Sequence, residues 1–184
     1  MRDKISINNK TLIVLIVIVC ILAFLTYSFI SPHGFFSGLS NDLKGIEAEE
    51  GFTYTDLDGN PIQLAEYKGK PLIINAWATW TPFSKDELIL FSKYKAEYGD
   101  AVTVLAINRM ENVATIKAYL DFIGKPGGIV FLGDPTDNFY KSIQGYAMPE
   151  TVFYDSEGII VNHARGVLTE EDIKAGFEAL IVRE

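Results

Sequence analysis

The sequence predicts an α/β domain with a mixed central sheet covered by helices on both faces, preceded by one membrane-spanning helix. Three observations lead there. Thr11 to Ile30 is a run of 20 residues without a charge. From Gly51 onward, short apolar runs of strand length alternate with stretches whose apolar residues recur every three to four positions. Near the C-terminus two strand-like runs are separated by the tight turn Ser156-Glu157-Gly158, so an antiparallel hairpin joins a sheet whose other strands are linked by helices.

At 184 residues, 48% of them hydrophobic, the chain holds one globular domain and an appendage. A helix rises about 1.5 Å per residue, so the run at 11–30 matches the roughly 30 Å hydrocarbon core of a bilayer. A cleaved secretory signal competes with a retained anchor, and length favours the anchor. Cys20 follows Val19 rather than a small residue, which speaks against a lipid-modified cysteine. Arg2, Lys4 and Lys10 against Asp3 make residues 1–10 positive, which keeps them cytoplasmic and puts residues 31–184 outside the cytoplasm. Residues 31–50 read as a juxtamembrane linker, with Pro32, Gly34, Phe35 and Phe36 near the membrane surface, and 51–184 as the domain.

Removing the net +2 of residues 1–30 from the whole-chain −8 leaves −10 on the rest, which argues against a nucleic-acid partner and an electrostatic grip on anionic lipid. The one cysteine, Cys20, lies in the predicted span, so the exported part has no thiol and no intramolecular disulfide is possible.

Along the domain, Phe52 to Asp56 and Ile62 to Leu64 read as short strands around the turn Asp58-Gly59-Asn60, and Pro71 to Trp77 as a buried central strand. Leu88, Phe91, Tyr94 and Tyr98 mark one face of a helix stopped by Gly99. Val102–Asn108 and Gly128–Leu132 come next as core strands around a helix marked by Ile116, Tyr119, Leu120 and Ile123, with a short helix at Asn138–Ile143. The hairpin strands are Thr151–Tyr154 and Ile159–His163. Thr169 caps a final helix whose apolar face is Ile173, Phe177, Leu180 and Ile181.

The segment Trp77-Ala78-Thr79-Trp80-Thr81-Pro82-Phe83-Ser84-Lys85-Asp86-Glu87 stands after the central strand. With Asp56-Leu57-Asp58-Gly59, Lys68-Gly69-Lys70-Pro71, Met148-Pro149-Glu150-Thr151 and Gly166 before Leu168-Thr169-Glu170-Glu171, it resembles the membrane-anchored thiol:disulfide oxidoreductases of the TlpA and ResA kind. Their signature is W-C-x-x-C with Glu three residues later. The resemblance covers Gly51 to the C-terminus and implies a thioredoxin-like fold. It sets Thr81 where the nucleophilic cysteine stands in the family and Ser84 where the resolving cysteine stands. It also implies a cis peptide at Met148-Pro149, beside which an extended substrate segment pairs. The stretch Thr81 to Leu88 is also similar to the thiol peroxidase segment T-P-V-C-T-T-E-L, with Ser84 at the peroxidatic position, but with no arginine placed near Glu150 as in that family.

A hydroxyl does not form the thiolate or the reversible S–S bond that this chemistry needs. As nucleophiles Thr81 and Ser84 would need a general base, and the only histidines are His33 and His163. The plainer reading makes Thr81 an N-cap with Pro82 at N1, or Ser84 to Glu87 a capping box. Two distant histidines and scattered carboxylates offer no metal cluster and imply no cofactor. The expected function is therefore a redox-inactive binding module. Trp80, Thr81, Pro82, Phe83, Ser84, Met148 and Pro149 would form a groove for an extended protein or peptide client, as in a chaperone-like or assembly factor. The alternatives are an enzyme with non-thiol or partner-supplied chemistry, and a scaffold with a vestigial groove.

Overall fold

The run before the candidate site is buried on both faces because helices cover both. All six residues of β3 (Leu72–Trp77) are buried in the computed structural model, which describes Gly45 and residues 51–182. Around it lie β1 (Tyr54–Asp56), β2 (Pro61–Ile62), α1 (Ser84–Tyr98), β4 (Thr103–Arg109), α2 (Val113–Ile123), β5 (Val130–Asp134), α3 (Asn138–Ser142), β6 (Glu150–Tyr154), β7 (Ile160–Arg165) and α4 (Glu170–Ile181). The seven strands make one sheet in the order β2-β1-β5-β4-β3-β6-β7. Strands β3, β4 and β5 are parallel; β6 runs antiparallel to β3 and β7, and β1 antiparallel to β5 and β2.

Strand alternation divides the core. Leu72, Ile74 and Ala76 point to the face carrying α3 and the 3₁₀ turn Leu64–Tyr67, where they meet Leu64, Phe139 and Tyr140. Ile73 points the other way to Phe91 of α1 and Phe177 of α4, and Trp77 to Leu88 of α1 and Ile116 and Leu120 of α2. The two crossovers β3-α1-β4 and β4-α2-β5 lie on this second face.

The predicted elements are present, with shifted ends. The second short strand stops at Ile62, because Leu64 starts the 3₁₀ turn, where Gln63 and Glu66 form a capping box. Helix α1 stops at Gly99, at φ 59°, a left-handed value that glycine adopts without Cβ strain. Thr169 caps α4: its hydroxyl accepts from the Asp172 N–H while the Asp172 carboxylate accepts from the Thr169 N–H. The predicted span at 11–30 and the linker at 31–50, Gly45 apart, lie outside the described residues. Among the described residues, no helix is long and apolar enough to cross a membrane.

Candidate functional site

The parallel strands β3, β4 and β5 all end at the same rim of the sheet, where α/β folds gather ligand-binding loops. Beyond Trp77 the chain must leave the sheet and start α1 within six residues, and the side chains of the turn tie it down. Thr81 Oγ1 donates to the carbonyl of Ala78 at 2.9 Å, and Ser84 Oγ accepts from the Ala78 N–H at 3.4 Å. The two hydroxyls are hydrogen-bonded to each other. Because the Thr81 proton goes to Ala78, Ser84 is the donor between them. Both hydroxyls and both polar groups of Ala78 thus close one ring of hydrogen bonds. Thr81 is 4% exposed and Ser84 fully buried.

This corrects the capping expectation. The N-cap of α1 is Phe83 and no side chain caps it, because both hydroxyls reach back to Ala78 rather than forward into the helix. It also separates the predicted groove residues. Thr81 and Ser84 face inward, while Trp80 (62% exposed), Pro82 and Phe83 (48%) stand at the surface.

Two carboxylates hold this turn in place. Glu111, just past β4, accepts from the Thr79 N–H at 2.8 Å and the Thr79 hydroxyl at 2.5 Å, and from Asn108 Nδ2 at 2.7 Å. Glu87, in the first turn of α1, accepts from the Leu168 N–H at 2.7 Å and from Asn75 Nδ2 at 2.9 Å, joining α1 to β3 and to the loop before α4. Burial raises its pKa to about 7, against the opposing pull of those two donors.

Across from the turn, Met148-Pro149 is a cis peptide bond, as the resemblance implies. Glu150 organises this loop from beneath. Its Oε1 accepts from the N–H groups of Tyr146 (2.7 Å) and Ala147 (2.6 Å), and its Oε2 bonds His163 Nε2 at 2.7 Å. Burial penalises the Glu150 charge, but His163 and the two backbone donors outweigh it and hold the carboxyl below its ordinary value. The Gly166 N–H donates to the Pro149 carbonyl at 2.9 Å, which fixes the end of β7 beside the loop. Met148 is half-buried, and its own N–H and C=O have no hydrogen-bond partner among the described residues.

Glu111, the Glu150–His163 pair and Arg165 were not identified from the sequence, since each acts through contacts made only in the fold. The β6–β7 register does place an arginine beside Glu150: Arg165 is its cross-strand partner. Among the described residues His163 makes no hydrogen bond to Thr81 or Ser84, whose side-chain bonds go only to each other and to Ala78. No group of three or more His, Cys, Asp or Glu among the described residues could hold a metal ion.

A mixed sheet, a helix launched from the end of its central strand and a cis-proline loop facing that launch point define a thioredoxin-like domain. Solved structures agree. The putative thiol:disulfide interchange protein DsbE from Chlorobium tepidum superposes with a TM-score of 0.67 at 17% identity, over 76% of this chain and 99% of that one. A secreted Mycobacterium tuberculosis disulfide oxidoreductase superposes with a TM-score of 0.62 at 25% identity, over 73% of this chain and 98% of that one. The profile of the Redoxin family matches residues 44–181, and the chain belongs to that family. Among curated relatives, the thiol-disulfide oxidoreductase ResA of Halalkalibacterium halodurans is 29% identical over 160 residues, 85% of this chain and 86% of its own. ResA of Bacillus subtilis is 26% identical over 161 residues, 87% and 86% of the respective chains.

Proposed function

We propose that this protein is an anchored, extracytoplasmic redoxin that has exchanged thiol chemistry for binding. It holds an extended segment of a client protein at the rim formed by Trp80, Pro82, Phe83 and Met148. The observation that carries this reading is the closed ring at Ala78. The hydroxyls at the two positions that the resemblance assigns to cysteines are buried and hydrogen-bonded to each other and to one peptide unit. They act as a structural staple across the turn where a disulfide would otherwise sit. Met148 meanwhile offers an N–H and a C=O to a strand laid alongside it, and main-chain pairing of that kind needs no cysteine. Exposed Trp80 and Phe83 supply apolar area on the turn before α1. Residues 11–30 serve as the anchor in this reading, with 1–10 in the cytoplasm.

The names of the relatives favour a second reading, an enzyme of thiol:disulfide oxidoreductase descent that works with a thiol supplied by its partner. Insulin reduction and peroxide consumption separate the two. The binding reading expects the wild-type protein to match a Thr81→Ala, Ser84→Ala variant at background, both alone and with an added small thiol. Turnover above that control would overturn it in favour of the enzyme.

A further inference from the structure

The charges around the rim specify what kind of segment fits it. The buried and half-buried carboxylates here already have donors: Glu150 is held by three, Glu111 by Thr79 and Asn108, Glu87 by Leu168 and Asn75. Asp137 takes both arms of Arg109, with contacts at 2.7 and 2.6 Å. Arg165 is different. It is half-buried, its side chain makes no ion pair or hydrogen bond among the described residues, and its Nε is buried without a partner. Its guanidinium lies 4.9 Å from the ring centre of Tyr146, a side chain that is 77% exposed. The Gly166–Pro149 hydrogen bond and the register with Glu150 put it next to Met148-Pro149. The carboxylate of Glu150 takes its three N–H donors from Tyr146, Ala147 and His163 and makes no hydrogen bond to Arg165.

Resting on the binding function above, we propose that Arg165 reads an acidic side chain of the client, so that the bound segment is an extended peptide pairing apolar residues with a carboxylate beside Met148. A guanidinium whose donors are unmet and partly shielded from water gains more from a carboxylate than an exposed one does, and its planar fork gives the contact direction. The local demand runs against the bulk charge. The −10 carried by residues 31–184 would attract a basic partner at long range, so an acid preference points to this one site rather than to the surface as a whole.

The test is a displayed library of nine-residue peptides, with the central position randomised over all residues and the flanks drawn from Val, Ile, Leu, Thr and Phe. It is selected on the immobilised full-length protein in mild detergent. The wild type is expected to enrich Asp or Glu at the centre about tenfold over Gln, the scale of one charge-assisted hydrogen bond. Arg165→Lys should keep the preference in weaker form, Arg165→Gln should lose it while still selecting apolar flanks, and Arg165→Glu should enrich Lys or Arg instead. Apolar selection with no acidic preference, or an acidic preference unchanged in Arg165→Gln, overturns the role of Arg165 and leaves the groove standing. No enrichment over bare resin overturns both, and unchanged thermal unfolding of each variant shows that the comparison is between folded proteins.

Discussion

Replacing Glu87 with Gln should make the domain more resistant to unfolding as pH rises. Burial lifts the carboxyl from 4.5 to about 7. The folded protein therefore holds this proton more tightly than the unfolded chain does, and the stability it brings is complete below pH 4.5 and lost as pH climbs through 7. A difference of about 2.5 pH units at 1.36 kcal/mol each comes to about 3 kcal/mol, a large part of an ordinary domain's stability. Glutamine has no proton to lose. It can still accept from Leu168, and turning over the amide of Asn75, whose Oδ1 is buried without a partner, would let that oxygen accept from the new Nε2. Urea unfolding of both proteins from about pH 4.5 to about pH 8 gives the comparison. Glu150 and the other lowered carboxylates titrate alike in the two and cancel. The stability of Glu87→Gln minus that of the wild type should grow by about 3 kcal/mol across this range. A difference that stays flat within about 1 kcal/mol, or moves the other way, would refute burial as the force acting on Glu87.

Because Thr81 and Ser84 touch each other, the double substitution Thr81→Cys, Ser84→Cys should form an intramolecular disulfide, seen as a loss of two thiols on mild oxidation, and should gain insulin reduction. Glu150→Ala removes the acceptor of Tyr146, Ala147 and His163 at once, and should cost about 3 kcal/mol in chemical denaturation. Thr169→Ala breaks the capping box of α4 and should cost about 1 kcal/mol in the same assay.

Much of the fold was legible because its signals are local. The apolar period at Leu88, Phe91 and Tyr94 with Gly99 beyond, and the Thr169 cap, each depend on a few neighbouring residues. The cis peptide was legible only through resemblance, since Met-Pro by itself carries no such mark. What was misread lay where tertiary contacts outweigh local preference. Thr81-Pro82 has the pattern of a helix start, yet α1 begins at Ser84 because the polar groups of Ala78, left behind at the end of β3, take both hydroxyls. Glu111 is 32 residues from Thr79, and Arg165 meets Glu150 only through strand register, so neither had a signal in the linear sequence. The groove residues divide for the same reason. The sequence marks 80–84 as one motif, and the turn sends some of its members inward and the others outward.

The most direct measurement of the binding function is site-specific photo-crosslinking in native membranes from position 83, whose side chain is about half exposed beside Trp80, with position 177, buried under α1, as the control. A discrete protein captured from 83 and not from 177, and captured less when Met148→Pro removes the N–H that would pair with the client in a protein that still folds, is the predicted result. A folded protein that captures nothing from 83, or the same products from both positions, would contradict a working groove.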